Sequence, residues 1–350
     1  MIEHQLEFHN TAELESLGAL PGQRLQRFPR EVRDKLGHMD HERGRFQAQI
    51  AVGCEIRFVT EAKFVKVYLS ASEHEGVVFV YKGSLLHSVH KLPAGVISCL
   101  HLEEPPKFKD VDPAVLHGRG FAPSVWRLLF GKNSPISFIH LDTFGHAVRP
   151  PLAAEKPPRS WLAYGSSITF GGDTHLYTNT YVQQAAVRLN LDVLNKGIAG
   201  SCFCDQAAAD YLASITCDLV TLELGINMLN RFSCDEFRDR ASYLVDTLRA
   251  ALPGKPIAIL GIFPHSVSLG WDRNSEAARK HEAFNQISRE IVRERADRRL
   301  YFIPGEEILT AAAGLTVDLL HPSDDGHIMM GEALARKLGP IINGSTERPE

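Results

Sequence analysis

The feature that most constrains this chain is a change of rhythm at a proline-rich break. Residues 149–158 read Arg-Pro-Pro-Leu-Ala-Ala-Glu-Lys-Pro-Pro, four prolines in ten positions. Proline neither donates to a central strand nor continues a helix, so the stretch suits neither. Before it, from about residue 47, short runs rich in Val, Ile, Phe and Tyr recur with no long helix between them. Gln47–Val52, Cys54–Thr60, Phe64–Ala71, Val77–Tyr81, Leu85–Lys91, Val96–Leu102, Trp126–Phe130 and Ile136–Thr143 are the expected strands. Many short strands at this spacing predict a β-sandwich of jelly-roll type. After the break, buried strands alternate with helical patterns, which predicts an α/β domain with a mostly parallel sheet covered on both faces. The expected organisation is therefore an N-terminal sandwich over 1–150, a linker over 151–158 and an α/β domain over 159–350. The first 45 residues, with Arg24, Arg27, Arg30, Arg33, Arg43 and Arg45 among acids, read as a strand followed by an irregular, solvated segment.

In the second half the expected strands are Trp161–Tyr164, Asp192–Asn195, Leu219–Leu224, Ile257–Phe263 and Leu300–Ile303. The expected helices are Thr180–Leu189, Asp205–Ala213, Asp235–Ala251, Ser275–Glu294 and Gly326–Leu338, with Ser275 as the expected N-cap of the fourth. In open α/β sheets ligands sit at the carboxyl ends of the strands, so the loops there are where chemistry belongs.

The first such loop carries Gly165-Ser166-Ser167-Ile168-Thr169. A serine where a buried strand breaks into loop and helix can act as a nucleophile, and backbone N–H groups opening toward a helix can hold an oxyanion. It is not the G-x-S-x-G elbow, because Thr169 stands where the second glycine would be. Alone, it reads equally well as a Ser/Thr-rich turn. The second loop is Asn195-Lys196-Gly197-Ile198-Ala199-Gly200, where glycines allow tight turns and close backbone approach. The third is Gly225-Ile226-Asn227-Met228, whose Asn227 can aim an amide into a cleft or simply form a turn. The fourth contains Asp318 and His321, three apart and followed by Pro322. That spacing lets a carboxylate orient an imidazole whose other nitrogen takes a serine proton.

Taken in order, these four stretches resemble blocks I, II, III and V of the SGNH, or GDSL-type, hydrolases, over about 159–340. The resemblance implies that Ser167 is the nucleophile, His321 the general base and acid, and Asp318 its orienting carboxylate. The oxyanion donors would be the backbone N–H groups of Ser167 and Gly200 and the side-chain amide of Asn227. Ser166 stands where the family usually has Asp, and Met228 where it often has a second one. Serine at 166 is still expected to scaffold the loop by bonding to nearby backbone. A β-sandwich ahead of such a domain is similar to the layout of several carbohydrate esterases.

The implied activity is a carboxylic ester hydrolase, a serine esterase removing short acyl groups, acetyl first, from carbohydrate substrates. Two alternatives stand beside it: a lipase-like acylhydrolase or thioesterase for longer chains, and a non-catalytic carbohydrate-binding protein. No cofactor and no metal is required by the scheme. The expected partner is a small-molecule ester, with an acetylated saccharide foremost, and self-association is compatible with this reading. The net charge of −4 gives no reason to expect nucleic acid as a partner. No apolar run approaches bilayer length, so no membrane is expected either. The polar N-terminus, Met-Ile-Glu-His-Gln, lacks the features of a signal peptide, and a cytoplasmic location is the expectation. Six scattered cysteines do not make a disulfide scaffold, and Cys202 and Cys204 read as small buried side chains. His327 is expected to pack or cap. His175 and His265, in loops on the side of the sheet that carries the site, are expected on the surface, with lining of the substrate pocket as the alternative. Buried Glu223 is expected to find some partner.

Overall fold

The structure is a computed structural model that describes residues 1–17, 21–38, 40–118 and 120–344; the last six residues of the expected second domain lie outside these. The chain forms two compact units. One comprises Met1–Pro29, Ala48–Pro158 and Asn190–Leu194; the other comprises Arg30–Gln47, Arg159–Leu189 and Asn195 onward.

The first unit contains two antiparallel sheets. One runs in the order Ile2–Glu3, Leu6–His9, Glu55–Thr60, Val125–Phe130, Gly76–Lys82, Leu85–Leu92, with Val148–Arg149 also paired to Glu55–Thr60. The other runs Glu13–Glu15, Gln23–Gln26, Ile136–Asp142, Phe64–Ala71, Ile97–Glu103. Alternation along Phe64–Ala71 turns Val65, Val67 and Leu69 inward, where they join Ile56, Phe58, Val78, Val80, Trp126 and Leu128 in one apolar core. The opposite face of Glu55–Thr60 is buried as well, although its side chains are charged. There Arg57 Nε donates to Glu55 at 2.8 Å and Nη1 to Glu7 at 3.0 Å. Burial pushes the Glu55 carboxyl up, but Arg127 and Arg57 outweigh it and hold the group well below the usual carboxylate range.

Two expectations for the N-terminal region are corrected. Gln47–Val52 is not a strand: its first residues finish the helix His41–Gln49. A six-residue alternation cannot by itself be told from a helix end. The first 45 residues are not one strand followed by an irregular segment. Among the described residues they hold four short strands, the helix Arg30–Arg33 and the start of a second at His41. Arg30, Arg43 and Arg45 are exposed as expected, but Arg27 and Arg33 are buried, with Arg27 Nε donating to the Ile50 carbonyl at 2.8 Å.

A five-stranded sheet runs in the order Leu191–Asn195, Arg159–Tyr164, Leu219–Glu223, Ile257–Leu260, Leu300–Ile303, and its strands from Arg159–Tyr164 onward belong to the second unit. Arg159–Tyr164 pairs in parallel with Leu219–Glu223, which continues in parallel through Ile257–Leu260 to Leu300–Ile303. Strand burial is nearly continuous, as a sheet covered on both faces requires. The helices are Tyr181–Leu189, Gln206–Ala213, Cys234–Ala251, Glu276–Arg295 and Asp324–Asn343. Ser275 caps the fourth of them by accepting from Ala278 N. The last helix starts two residues before the expected Gly326, because Ser323 caps it by accepting from Gly326 N. The first strand in sequence lies between the second and third, so the order reverses at the carboxyl end of Arg159–Tyr164, where such sheets place their ligands. Among the described residues no helix is long and apolar enough to cross a membrane.

Candidate active site

Trp161–Tyr164 is fully buried strand, and the chain turns immediately after it. Glycine is required at 165 by close approach: a Cβ there would lie 2.2 Å from Thr169 Oγ1 and 2.6 Å from Glu223 Oε2. Ser166 then caps the short helix Ser167–Phe170, its Oγ accepting from Ile168 N at 3.1 Å. The serine at 166 thus bonds to neighbouring backbone within the turn. The carboxylate of this turn comes from another strand. Glu223 Oε2 accepts from Ser166 N at 2.6 Å and from Thr169 Oγ1 at 3.1 Å, and Thr169 Oγ1 is in turn 2.7 Å from Tyr181 OH. Burial pushes the Glu223 carboxyl up to about 7 against the pull of the Ser166 and Thr169 bonds.

Ser167 is half-buried. Its Oγ lies 2.8 Å from His321 Nε2, and His321 Nδ1 lies 2.7 Å from Asp318 Oδ2. The other Asp318 oxygen accepts from Thr316 Oγ1 at 2.7 Å, Leu320 N at 2.9 Å and His321 N at 3.0 Å. Partial burial pushes the Asp318 carboxyl up, but the bonds from His321 and Thr316 outweigh it and keep the group ionised well below the usual range. Both Asp318 oxygens are acceptors, so the ring's proton sits on Nδ1 and Nε2 is left to accept from Ser167. Gly172 lets the chain pass over this pair: a Cβ there would meet the Ser167 carbonyl at 3.1 Å and His321 Cδ2 at 3.3 Å.

The other two loops meet each other. Lys196 N donates to Ala163 O at 2.7 Å and Ile198 N to Gly165 O at 2.8 Å, which lays the second loop along the nucleophile strand. Asn195 fixes it further by donating to Thr169 O at 2.8 Å while accepting from Gly197 N at 2.9 Å. Asn227 Oδ1 accepts from Cys202 N at 3.1 Å, so the amide Nδ2 is the end of that side chain left to donate elsewhere. Gly200 has φ +66°, and a Cβ on it would meet the Arg43 guanidinium at 2.4 Å. Arg43, which the sequence placed in a solvated segment, therefore lies against the peptide of the expected oxyanion donor. Met228 is fully buried and packs.

Of the remaining candidates, His327 is buried, stacks on Tyr181 and accepts from Tyr181 N at 3.2 Å. His175 is exposed and pairs with Asp324 at 2.8 Å. His265 is not a surface residue: it is buried, with Nε2 3.1 Å from His281 Nδ1. Burial, then the neighbouring His281, pushes its ring down to about 4. The helix Glu276–Arg295 supplies that partner from far along the chain, which no local pattern reveals. Cys202 and Cys204 are buried free thiols. A cavity of about 590 Å³ lined by Pro264, Leu269, His281, Asn285, Arg289 and Glu306 lies beside this histidine pair; none of Ser167, Asp318 and His321 lines it.

Sequence reasoning missed Asp173. Its Oδ2 lies 3.2 Å from His321 Nδ1, on the nitrogen that Asp318 also faces. The only local signal was an acid after Gly171-Gly172, six residues past Ser167. The ligand-type atoms of Asp173, Asp318 and His321 lie within 4.8 Å of one another, but Nδ1 already bonds to Asp318 and Nε2 to Ser167, so the ring offers no free nitrogen to a metal.

Residues 159–339 match the GDSL-like lipase/acylhydrolase family. A multidomain esterase of Ruminococcus flavefaciens is 23% identical over 136 residues, which is 39% of this chain; the chain spans only 17% of that relative's length. Among solved structures, a salicylyl-acyltransferase, SsfX3, from a tetracycline biosynthetic pathway aligns over 99% of this chain and 97% of its own. Its TM-score is 0.77 at 15% identity. A GDSL-like lipase from Bacteroides ovatus aligns over 97% of this chain and 95% of its own, with TM-score 0.66 at 18% identity. A family two carbohydrate esterase from Clostridium thermocellum, solved with cellohexaose, aligns over 84% of this chain and 94% of its own, with TM-score 0.56 at 16% identity. At these identities the structural likeness is one of fold.

Proposed function

The chain belongs to the GDSL-like lipase/acylhydrolase family, and on that footing we propose that it is a serine esterase hydrolysing short-acyl esters, acetyl esters of carbohydrates foremost. The observation that carries this is the unbroken chain from Ser167 Oγ through the His321 ring to Asp318, at 2.8 and 2.7 Å. As Ser167 Oγ attacks the ester carbonyl carbon, its proton passes to His321 Nε2, and Asp318 stabilises the imidazolium. The carbonyl oxygen becomes an oxyanion held by the backbone N–H groups of Ser167 and Gly200 and by Asn227 Nδ2, each donor worth about 3 kcal/mol at the transition state. The carbon–oxygen bond then breaks, and the alcohol leaves with the proton from His321. Water, deprotonated by the same ring, releases the acid from the acyl-serine. Every step is served by side chains and backbone of the second unit.

The saccharide part of the proposal rests on the two-unit layout that the chain shares with carbohydrate esterases, and fold alone is a weak guide to substrate. The salicylyl-acyltransferase with the same fold supports a second reading, in which an alcohol replaces water and the acyl group is transferred.

The test is turnover of p-nitrophenyl acetate, butyrate and octanoate by wild type and Ser167→Ala, followed by acetate release from acetylated xylo- and cello-oligosaccharides. Acetate preferred and activity abolished in Ser167→Ala is the expected result. Octanoate preferred would replace the short-acyl proposal with a longer-chain acylhydrolase. Turnover that survives Ser167→Ala would refute the assignment of the nucleophile. Formation of a new ester when an acceptor alcohol is added would favour acyl transfer.

A further inference from the structure

We infer that Asp173 is a second positioning carboxylate for His321, so that the imidazole of this site is served by two acids and not by one. The inference rests on the proposal that Ser167 and His321 carry the chemistry.

Asp318 Oδ2 and Asp173 Oδ2 stand 2.7 and 3.2 Å from the same nitrogen, His321 Nδ1. They reach it from different parts of the chain. Asp318 belongs to the loop that carries His321, and its second oxygen is pinned by Thr316, Leu320 and His321 backbone or side-chain donors. Asp173 comes from the turn that follows the nucleophile helix, just past Gly171-Gly172, and adopts φ +61°. Among the described residues, His321 is the one polar partner of its carboxylate. A side chain with that backbone conformation and that single partner is aimed at the ring by the turn itself.

The division of labour follows from the distances. The Nδ1 proton points to Asp318, which takes the hydrogen bond and sets the tautomer. Asp173 meets the ring off that axis and acts through its charge. In the resting site two carboxylates share one neutral imidazole, and their atoms crowd within 4.8 Å, an arrangement that costs like-charge repulsion. When Ser167 gives up its proton the ring becomes cationic, and its attraction to both acids offsets their mutual repulsion. The gain is made in the transition state and not in the ground state, which is the condition for raising the rate. The second acid is also a reserve. A triad with a single carboxylate loses about 10⁴-fold when that acid becomes an amide, whereas here Asp173 stands ready to accept the Nδ1–H hydrogen bond when Asp318 cannot.

Among the described residues, these two carboxylates are the charged groups paired with the ring. Asp324, at the start of the last helix, is spent on His175, Leu176 and Asn179, and His265 is turned to His281.

The experiment measures the rate at which a fluorophosphonate phosphonylates Ser167, from pH 5 to 9, in wild type, D173N, D318N and the double variant. In that reaction the Oγ–P bond forms, the P–F bond breaks with loss of fluoride, and the serine proton goes to His321, so no natural substrate is needed. Asparagine tolerates φ +61°, and the Asp173 side chain is 52% exposed, so D173N keeps the turn. The expected rate in D173N is about 3- to 5-fold lower at pH 7, the size of one exposed ion pair. Its acid limb should move to lower pH, because a ring deprived of a nearby anion gives up its proton more readily. D318N is expected to lose about 10²-fold and the double variant about 10⁴-fold, more than the product of the single losses. A merely structural role for Asp173 would lower the rate at every pH and leave the limb in place. Rates and limb unchanged in D173N, with no extra loss in the D318N background, would overturn the inference.

Failure of wild-type Ser167 to label at all would instead refute the esterase reading. Even then, the titration midpoint of the His321 ring, followed by ¹⁵N NMR in Ser167→Ala with and without D173N, decides the question. A move to lower pH supports the inference, and an unchanged midpoint overturns it.

Discussion

Glu223→Gln isolates the pH dependence that one buried acid builds into this fold. Glu223 is 1% exposed. One oxygen serves the nucleophile turn through Ser166 N and Thr169 Oγ1, while Oε1 is buried with no partner among the described residues. Burial raises the carboxyl from 4.5 to about 7. The folded state therefore keeps a proton that the unfolded chain has already released between these values, so stability is fully present below pH 4.5 and is lost as pH rises through 7. Integrated from pH 5 to pH 8, the loss amounts to about 2.5 kcal/mol. Glutamine copies the neutral acid: its carbonyl can accept from Ser166 and Thr169, and its amide takes the place of Oε1. The assay is urea unfolding of both proteins at pH 5, 6, 7 and 8, followed by tryptophan fluorescence. Trp161 reports on the same sheet, since it is buried with Nε1 donating to Thr221 Oγ1 at 2.9 Å. The wild type should lose about 2.5 kcal/mol relative to Glu223→Gln across that range. A gap between the two that stays constant within about 0.5 kcal/mol, the usual size of an uninvolved surface change, would refute the reasoning.

Two further substitutions test the neighbouring loops. Asn227→Ala should lower kcat on a p-nitrophenyl ester by about 10²–10³ with little change in KM, because an oxyanion donor acts in the transition state; an unchanged kcat would remove Asn227 from that role. Gly165→Ala should cost about 1–3 kcal/mol in thermal or urea unfolding, since the new Cβ would lie 2.2 Å from Thr169 Oγ1. It should also slow phosphonylation of Ser167, because Thr169 and Glu223 hold the turn that presents it.

Much of the second unit was legible in the sequence, for a local reason. A parallel strand buried on both faces is a short apolar run, and it ends where glycine or a small polar residue begins. Gly165, Gly197, Gly200 and Gly225 mark such ends, so the loops bearing Ser167, Asn227 and the pair Asp318 and His321 could be placed at one edge of the sheet. Ser233, Ser275 and Ser323 each accept a bond from the first turn of the helix that follows, and such caps are local too. The N-terminal region was harder. Alternation in Gln47–Val52 suited a strand until the helix His41–Gln49 was seen to run into it. Arg30, Arg43 and Arg45 are exposed, as a solvated face requires, but Arg27 is buried and bonded to the Ile50 carbonyl.

The sequence by itself determined the two kinds of architecture, the strand ends and the residue types of a serine, histidine and carboxylate arrangement. These depend on periodicity, backbone preference and side-chain chemistry within a few residues. Only the tertiary structure decided which groups meet. It put Glu223 beneath Ser166, Arg43 against Gly200, His265 on His281, and Asp173 beside Asp318 on one imidazole nitrogen. Each of these pairings joins side chains from separate elements. Contacts of a few ångströms are set by how the strands order and the loops fold back over the sheet, and chain position carries no record of that.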